Sequence, residues 1–260
     1  MPTPAEEILA KAVMPTGLSS AEIRDTVSAE IRRRSFFSAR TAEAEYLQKA
    51  RQVCADVAAG RIGTAEARFR LERELDALGH PNAGNESGDI TDPGSIARLD
   101  LIIDTQRDMA HSVARIQAQT PEIVALKPAW RLVRVGTRKD PRDWQARWAA
   151  AFNECGGKGC APSGEMVARK DSPIWEKIGA GAGGHKDTLG NPYPPFAFNS
   201  GMDWEDVDAE ECEALGIDVS DVTKPKSRSL GVLPEDIRRA ESKVGPEFSG
   251  DLDRWARGED

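Results

Sequence analysis

Three prolines within four positions constrain this chain more than any other feature. Pro192, Pro194 and Pro195 stand in the run Asn191-Pro-Tyr-Pro-Pro-Phe-Ala-Phe-Asn-Ser-Gly-Met202. Each fixes φ and removes a backbone donor, so the segment is stiff and lies outside regular ladders. Tyr193, Phe196 and Phe198 then present large apolar surface from a rigid support. A short tryptophan-bearing run, Lys170-Asp-Ser-Pro-Ile-Trp175, precedes it, with no nucleophile, phosphate loop or dense metal cluster between the two. Two uses fit this pairing. The preferred one is a loop that closes a small core around Trp175 and Phe196; the other is a docking surface for a partner.

The chain has 260 residues, enough for one large domain or two small ones. Hydrophobic residues make up 39% and aromatics 6%, which points to helical cores built on Ala and Leu, with extended arms. A net charge of -8 argues against a general role in coating nucleic acid. Glu6 and Glu7 interrupt the start, so no signal peptide is expected, and no run approaches a membrane span. Four cysteines suggest free thiols rather than a disulfide frame.

The expected fold is α+β and predominantly helical. Residues 1–80 read as helices. Ser19-Ser-Ala-Glu22 is a capping-box pattern leading into Ile23, Val27 and Ile31 at four-residue spacing. A second helix is predicted over 41–58, with Tyr46, Leu47, Val53, Cys54 and Val57 inward. Thr64 should cap a third, with Ala67, Leu71, Leu75 and Leu78 on one stripe, stopped by Gly79 and Pro81. Residues 81–94 form a linker. A small mixed α+β module should occupy 95–216. It opens on a long helix over 95–119, with Ile96, Leu99, Ile103, Val113 and Ile116 inward. A strand follows over 130–135, then a helix capped by Asp140 and carrying Trp144, Trp148 and Phe152. A short strand is expected over 165–169 and a short helix over 208–215, ended by Gly216. Residues 217–260 read as an extended polar arm that orders against other chains, with a helix over 234–243.

Several constellations invite chemistry and fall short. Cys155 and Cys160 are four residues apart, whereas zinc sites favour two, so a glycine loop with free thiols is preferred. Gly179-Ala-Gly-Ala-Gly-Gly184 has neither the leading strand nor the Lys-Ser/Thr pair of a phosphate loop. His80, His111 and His185 have no nucleophile and acid nearby in sequence. No catalytic residue, metal ligand or cofactor is therefore expected, and no enzyme. Two charge blocks are opposite in sign: Arg131, Arg134, Arg138, Lys139, Arg142 and Arg147 against the acids between Asp203 and Asp221. They are either solvated faces or complementary surfaces for neighbouring subunits. The basic block could also touch DNA phosphates without sequence selectivity.

The clamp also carries a resemblance. Asp171, Pro173 and Trp175, then Pro194, Pro195, Phe196 and Asn199, resemble the C-terminal signature of the phage Mu F-like head morphogenesis proteins. Upstream, the stretch from Arg98 to Ala110 resembles that family's helix with a Thr-Asn-x-x-x-Ala pattern, with Gln106 where Asn is usual. Ala129 to Val135 resembles its next strand. The motifs run in order over residues 35 to 216. The chain departs from many relatives at Ala197 and Gly201-Met202, where they carry cysteines, which puts any metal site of the family in doubt. The resemblance implies a minor head protein of a tailed phage, a structural virion component acting in head morphogenesis near the portal. Its partners would be the portal protein, other virion proteins, copies of itself and packaged double-stranded DNA, with no membrane. Residues 1–80 would make the portal or neighbour contact. Tyr193, Phe196, Phe198, Arg134, Arg138 and Arg142 are the expected partner-binding residues. The alternatives are a head-tail connector or neck protein, or a small toxin-like or nuclease enzyme delivered with the DNA.

Overall fold

The computed structural model describes residues 2–80, 89–137 and 141–225. The expected helix over 234–243, most of the C-terminal arm, Arg138 and the proposed cap Asp140 lie outside the described residues. The fold is α+β and predominantly helical, with ten helices and two small sheets among the described residues. The chain divides into two units, and the cut falls between Ala114 and Arg115.

The first unit begins with α1 (Pro4–Leu9), which Thr3 and Glu6 close with a reciprocal capping box. Strands β1 (Ala12–Val13) and β2 (Ser35–Phe36) pair in parallel, in the register Ala12↔Ser35 and Val13↔Phe36. Between them lie α2 (Ser20–Thr26) and α3 (Ala29–Arg34). The predicted box at Ser19 and Glu22 forms, but the helix does not continue to Ile31. Val27 is extended (φ -100°, ψ 124°), and the Ser28 hydroxyl accepts from the Ile31 N–H to start a new helix. Ile23, Val27 and Ile31 are nonetheless all buried, in one cluster with Met14.

Next come α4 (Ala44–Ala58), α5 (Thr64–Ala77) and α6 (Ile96–Gln117). Thr41 does not start α4; it sits in an isolated bridge with Thr16. Gly63, not Thr64, occupies the N-cap of α5, and Leu78 ends the helix half-exposed. Leu47, Cys54, Leu71, Leu75, Leu99 and Ile103 share one core. The first part of α6 thus packs with the N-terminal helices, where the sequence placed the whole helix in the following module. Gln106, at the position where the family pattern has Asn, accepts a 2.6 Å hydrogen bond from the buried Lys11 ammonium. Burial pulls that ammonium down to about 8, with the nearby Glu7 charge acting against the shift.

The second unit runs from Arg115. Thr120 caps α7 (Pro121–Leu126). Strand β3 (Ala129–Arg134) is central in a sheet of order β4-β3-β5, between β4 (Val167–Arg169) and β5 (Met202–Val207), both antiparallel to it. Helices α8 (Trp144–Glu154), α9 (Ile174–Ala180) and α10 (Ala209–Ala214) complete the unit. Asp143 caps α8 through the Ala146 N–H, three residues later than the sequence suggested. Directly opposed residues in an antiparallel pair share a face. The pairs Leu132↔Trp204, Trp130↔Asp206 and Trp130↔Ala168 therefore put Trp130, Leu132 and Trp204 on one side. Ala129, Val167 and Val207 lie on the other, packed with Cys212 of α10 and Ile217.

Candidate functional site

The proline-aromatic segment and the tryptophan run converge on the first of these faces. Indole rings of Trp130 and Trp204 stack at 3.8 Å between centroids, as expected for diagonal neighbours on adjacent strands. Trp175, in the first turn of α9, meets Trp130 and Trp204 edge-on at 6.1 and 5.4 Å, and Trp148 of α8 at 5.6 Å. Phe196 closes the group, stacked on Trp175 at 6.2 Å and 13°. Trp175 is 3% exposed and Phe196 is fully buried. Trp144 packs beside Phe196, whereas Phe152, the third member of the predicted stripe, is only partly buried and rests against Gly157.

Backbone and side-chain bonds hold the two segments in place. The Trp175 indole N–H donates to the Arg169 carbonyl (2.9 Å), and the Ser172 hydroxyl donates to the Lys158 carbonyl (2.7 Å). Asp171 accepts from the Nε and one terminal nitrogen of Arg169, each at 2.9 Å, and from the Thr223 N–H at 3.0 Å. In the proline segment the 194–195 peptide is cis. Leu189 N–H donates to the Phe196 carbonyl, and the buried Asn191 amide donates to the Pro195 carbonyl. The glycine run 179–184 is part of this closure. Gly190 N–H donates to the Gly179 carbonyl (3.0 Å), and a Cβ at Gly179 would lie 1.8 Å from the Asn191 oxygen. Gly181, at φ +87°, ends α9 in the left-handed conformation that glycine favours.

Of the expected partner contacts, Tyr193 and Phe196 are buried and Phe198 is partly buried. Phe196 is thus a core side chain rather than a surface one. Arg142 also has an internal use. It donates to Asp187 (2.5 Å) and to the Phe198 and Asn199 carbonyls (3.0 and 3.4 Å). Arg147 joins it on Asp187 at 2.9 Å and lies 5.1 Å above the Trp144 ring. Burial alone would raise the Asp187 carboxyl, but the hydrogen bonds from both arginines outweigh it and hold the group below its ordinary value. Arg134 remains exposed, with a 3.2 Å bond to the Arg142 carbonyl.

The two charge blocks touch within the chain at Arg131. Arg131 lies opposite Glu205 across the sheet and reaches Glu211 at 2.5 Å. Asp206 takes the Lys170 ammonium at 3.0 Å, Arg115 at 3.3 Å and the Trp130 indole N–H at 3.0 Å. Arg169 reaches Asp221 at 2.6 Å. The reading as complementary faces of separate subunits is therefore corrected only for Arg131, which pairs with Glu211 inside the chain; Asp206 and Asp221 are met by Arg115, Lys170 and Arg169 from outside the basic block. Sequence reasoning missed β5, and with it the position of Asp206; the alternation Met202, Trp204, Asp206 was the available signal.

Cys155 and Cys160 are free thiols; Cys155 ends α8, and Cys160 lies 3.7 Å from the Ser172 hydroxyl. Among the described residues no group of three or more His, Cys, Asp or Glu is arranged to hold a metal ion. No described helix is long and apolar enough to cross a membrane. No family model, curated protein or solved structure matches this chain.

Proposed function

We propose that this chain is a minor head protein of a tailed phage, acting in head assembly near the portal by protein–protein binding rather than by chemistry. One observation carries the reading. The two motif elements that resemble the Mu F-like signature, Asp171/Pro173/Trp175 and Pro194/Pro195/Phe196/Asn199, are 19 or more positions apart in the chain, yet Trp175 and Phe196 stack in one core. A signature whose halves close on each other is what a binding module needs to hold its outer loops in place. The N-terminal helices supply the portal or neighbour contact in this reading. Their exposed Phe69 (55%) and Leu78 (42%) give that contact apolar anchors.

The test is a peptide inventory of purified particles from cells that carry this gene beside head genes. The chain should be found in tailed particles, and Phe69→Glu should lower its incorporation while the purified variant keeps its melting temperature. Particles that form normally and lack the chain would end the proposal.

A further inference from the structure

We infer that Arg24 and Arg32, with Arg33 beside them, form a binding site for a phosphate group. The argument begins from how α2 and α3 are seated. Ile23 and Ile31 are buried in the same small cluster with Met14 and Val27. Arg24 directly follows the first and Arg32 the second, so the shared core brings the last turns of both helices near one another, close enough for the Arg24 charge to act on Arg32.

Arg24 and Arg32 lack a paired acid among the described residues. Arg24 and Arg32 are both half-buried, and neither has a hydrogen bond or ion pair among the described residues. The Arg32 Nε is inaccessible and unpartnered. The acids on the same helices are engaged elsewhere or exposed. Glu22 closes the capping box with Ser19, Glu30 pairs with Arg34 at 3.2 Å, and Asp25 is exposed and makes no ion pair with either arginine. Burial, then the charges of Arg24 and Arg33, pull Arg32 down to about 10. A half-buried cation next to like charges is costly, and a bound anion would offset that cost. Guanidinium groups present planar forks of donors that match phosphate oxygens, and two of them can hold one phosphate from two sides. The basic block at 131–147 serves this purpose poorly, because Arg131, Arg142 and Arg147 already spend their donors on Glu211 and Asp187.

The shared chemistry is phosphate, and two sources fit it: a nucleic-acid backbone and a free phosphate or phosphate ester. The experiment uses the full chain. Its melting temperature is measured in inorganic phosphate and in sodium chloride of equal ionic strength, and binding of a short labelled DNA duplex is followed by anisotropy. Phosphate at tenfold excess over its Kd should raise the melting temperature by about 3 °C beyond the chloride control. Arg24→Gln with Arg32→Gln should abolish that increment while melting no lower than wild type in phosphate-free buffer, since an unpaired cation has been removed. Arg32→Lys keeps the charge without the fork and should weaken binding at least several-fold. Arg107→Gln, on α6 with its own acidic partners, should change neither. Duplex binding that is lost with the double variant assigns the site to a nucleic-acid backbone; a phosphate increment without duplex binding assigns it to a small ligand. No increment over chloride, or an increment that survives the double variant, overturns the site.

Discussion

At the scale of single residues, Trp175 is where the two sequence runs become one structure. Its indole meets Trp130, Trp148 and Trp204 edge-on and Phe196 face-on. Truncation to Ala removes all four contacts and leaves a cavity, which typically costs about 3–5 kcal/mol. Trp175→Ala should therefore lower the denaturation midpoint sharply and reduce soluble yield, as chemical unfolding would show. A variant as stable as wild type that fails to enter particles would instead make the clamp a docking surface. Lys11 gives a second prediction, in pH. Its folded value of about 8 lies below the ordinary 10.5, so between these values the unfolded chain binds the proton that the folded chain has released. Stability from this group must then rise with pH across that window. Cys54, pushed up to about 12 by burial, acts in the opposite direction above about 9. The clean interval is pH 8 to 9, where wild type should gain about 1 kcal/mol relative to Lys11→Met in urea titrations. A parallel pair of curves would show that Lys11 keeps its proton.

At the scale of elements, legibility followed length and local chemistry. The capping box at Ser19, the short helix after Asp208 and the strand at Trp130 were readable because cap chemistry or period-two alternation is written in adjacent residues. The parallel pair of β1 and β2 was not, since two residues carry no period. Nor was the break at Val27: the four-residue spacing of Ile23, Val27 and Ile31 is satisfied equally by one helix and by two short ones around a shared core. The glycines at 179–184 were legible only as something other than a phosphate loop; Gly179 is required because the Asn191 backbone crosses it, a contact no local pattern reveals. The cap of α5 offers a positive test. Gly63 makes no side-chain cap bond, has φ -85° and has open space around its missing Cβ. Gly63→Ser should supply the absent acceptor and reduce unfolded-state freedom, stabilising the chain by about 0.5–1 kcal/mol. A lower melting temperature in that variant would show that the glycine serves another purpose.

For the whole molecule, the sequence placed the division at a polar linker, but the chain divides inside α6. Linker composition marks where a chain can bend, while the position of apolar side chains decides what packs together. Leu99, Ile102, Ile103 and Ala110 complete the core of the N-terminal helices, and Arg115 instead bonds the Trp204 carbonyl. A fragment of residues 95–225 should therefore expose an uncovered apolar face and associate in solution. A fragment of 115–225 should be monodisperse by light scattering, and the opposite ranking would move the boundary back to the linker. The charge blocks teach the same lesson. Their signs were legible, but the place of Arg131 opposite Glu205 depended on β5 lying beside β3, a register that no local stretch encodes.

The stacked indoles of Trp130 and Trp204 have an optical consequence. Two chromophores 3.8 Å apart exchange excitation, so they should give a split circular-dichroism band that neither ring shows alone. Residues 2–114 contain no tryptophan, whereas Trp130, Trp144, Trp148, Trp175 and Trp204 all fall in 115–225. The emission of these five rings therefore belongs to one unit, and far-ultraviolet ellipticity to the helices of both. Once the sixth tryptophan, Trp255, is replaced by Phe, the molecule carries a built-in colour label by which the melting of its two halves can be read apart without attaching a dye.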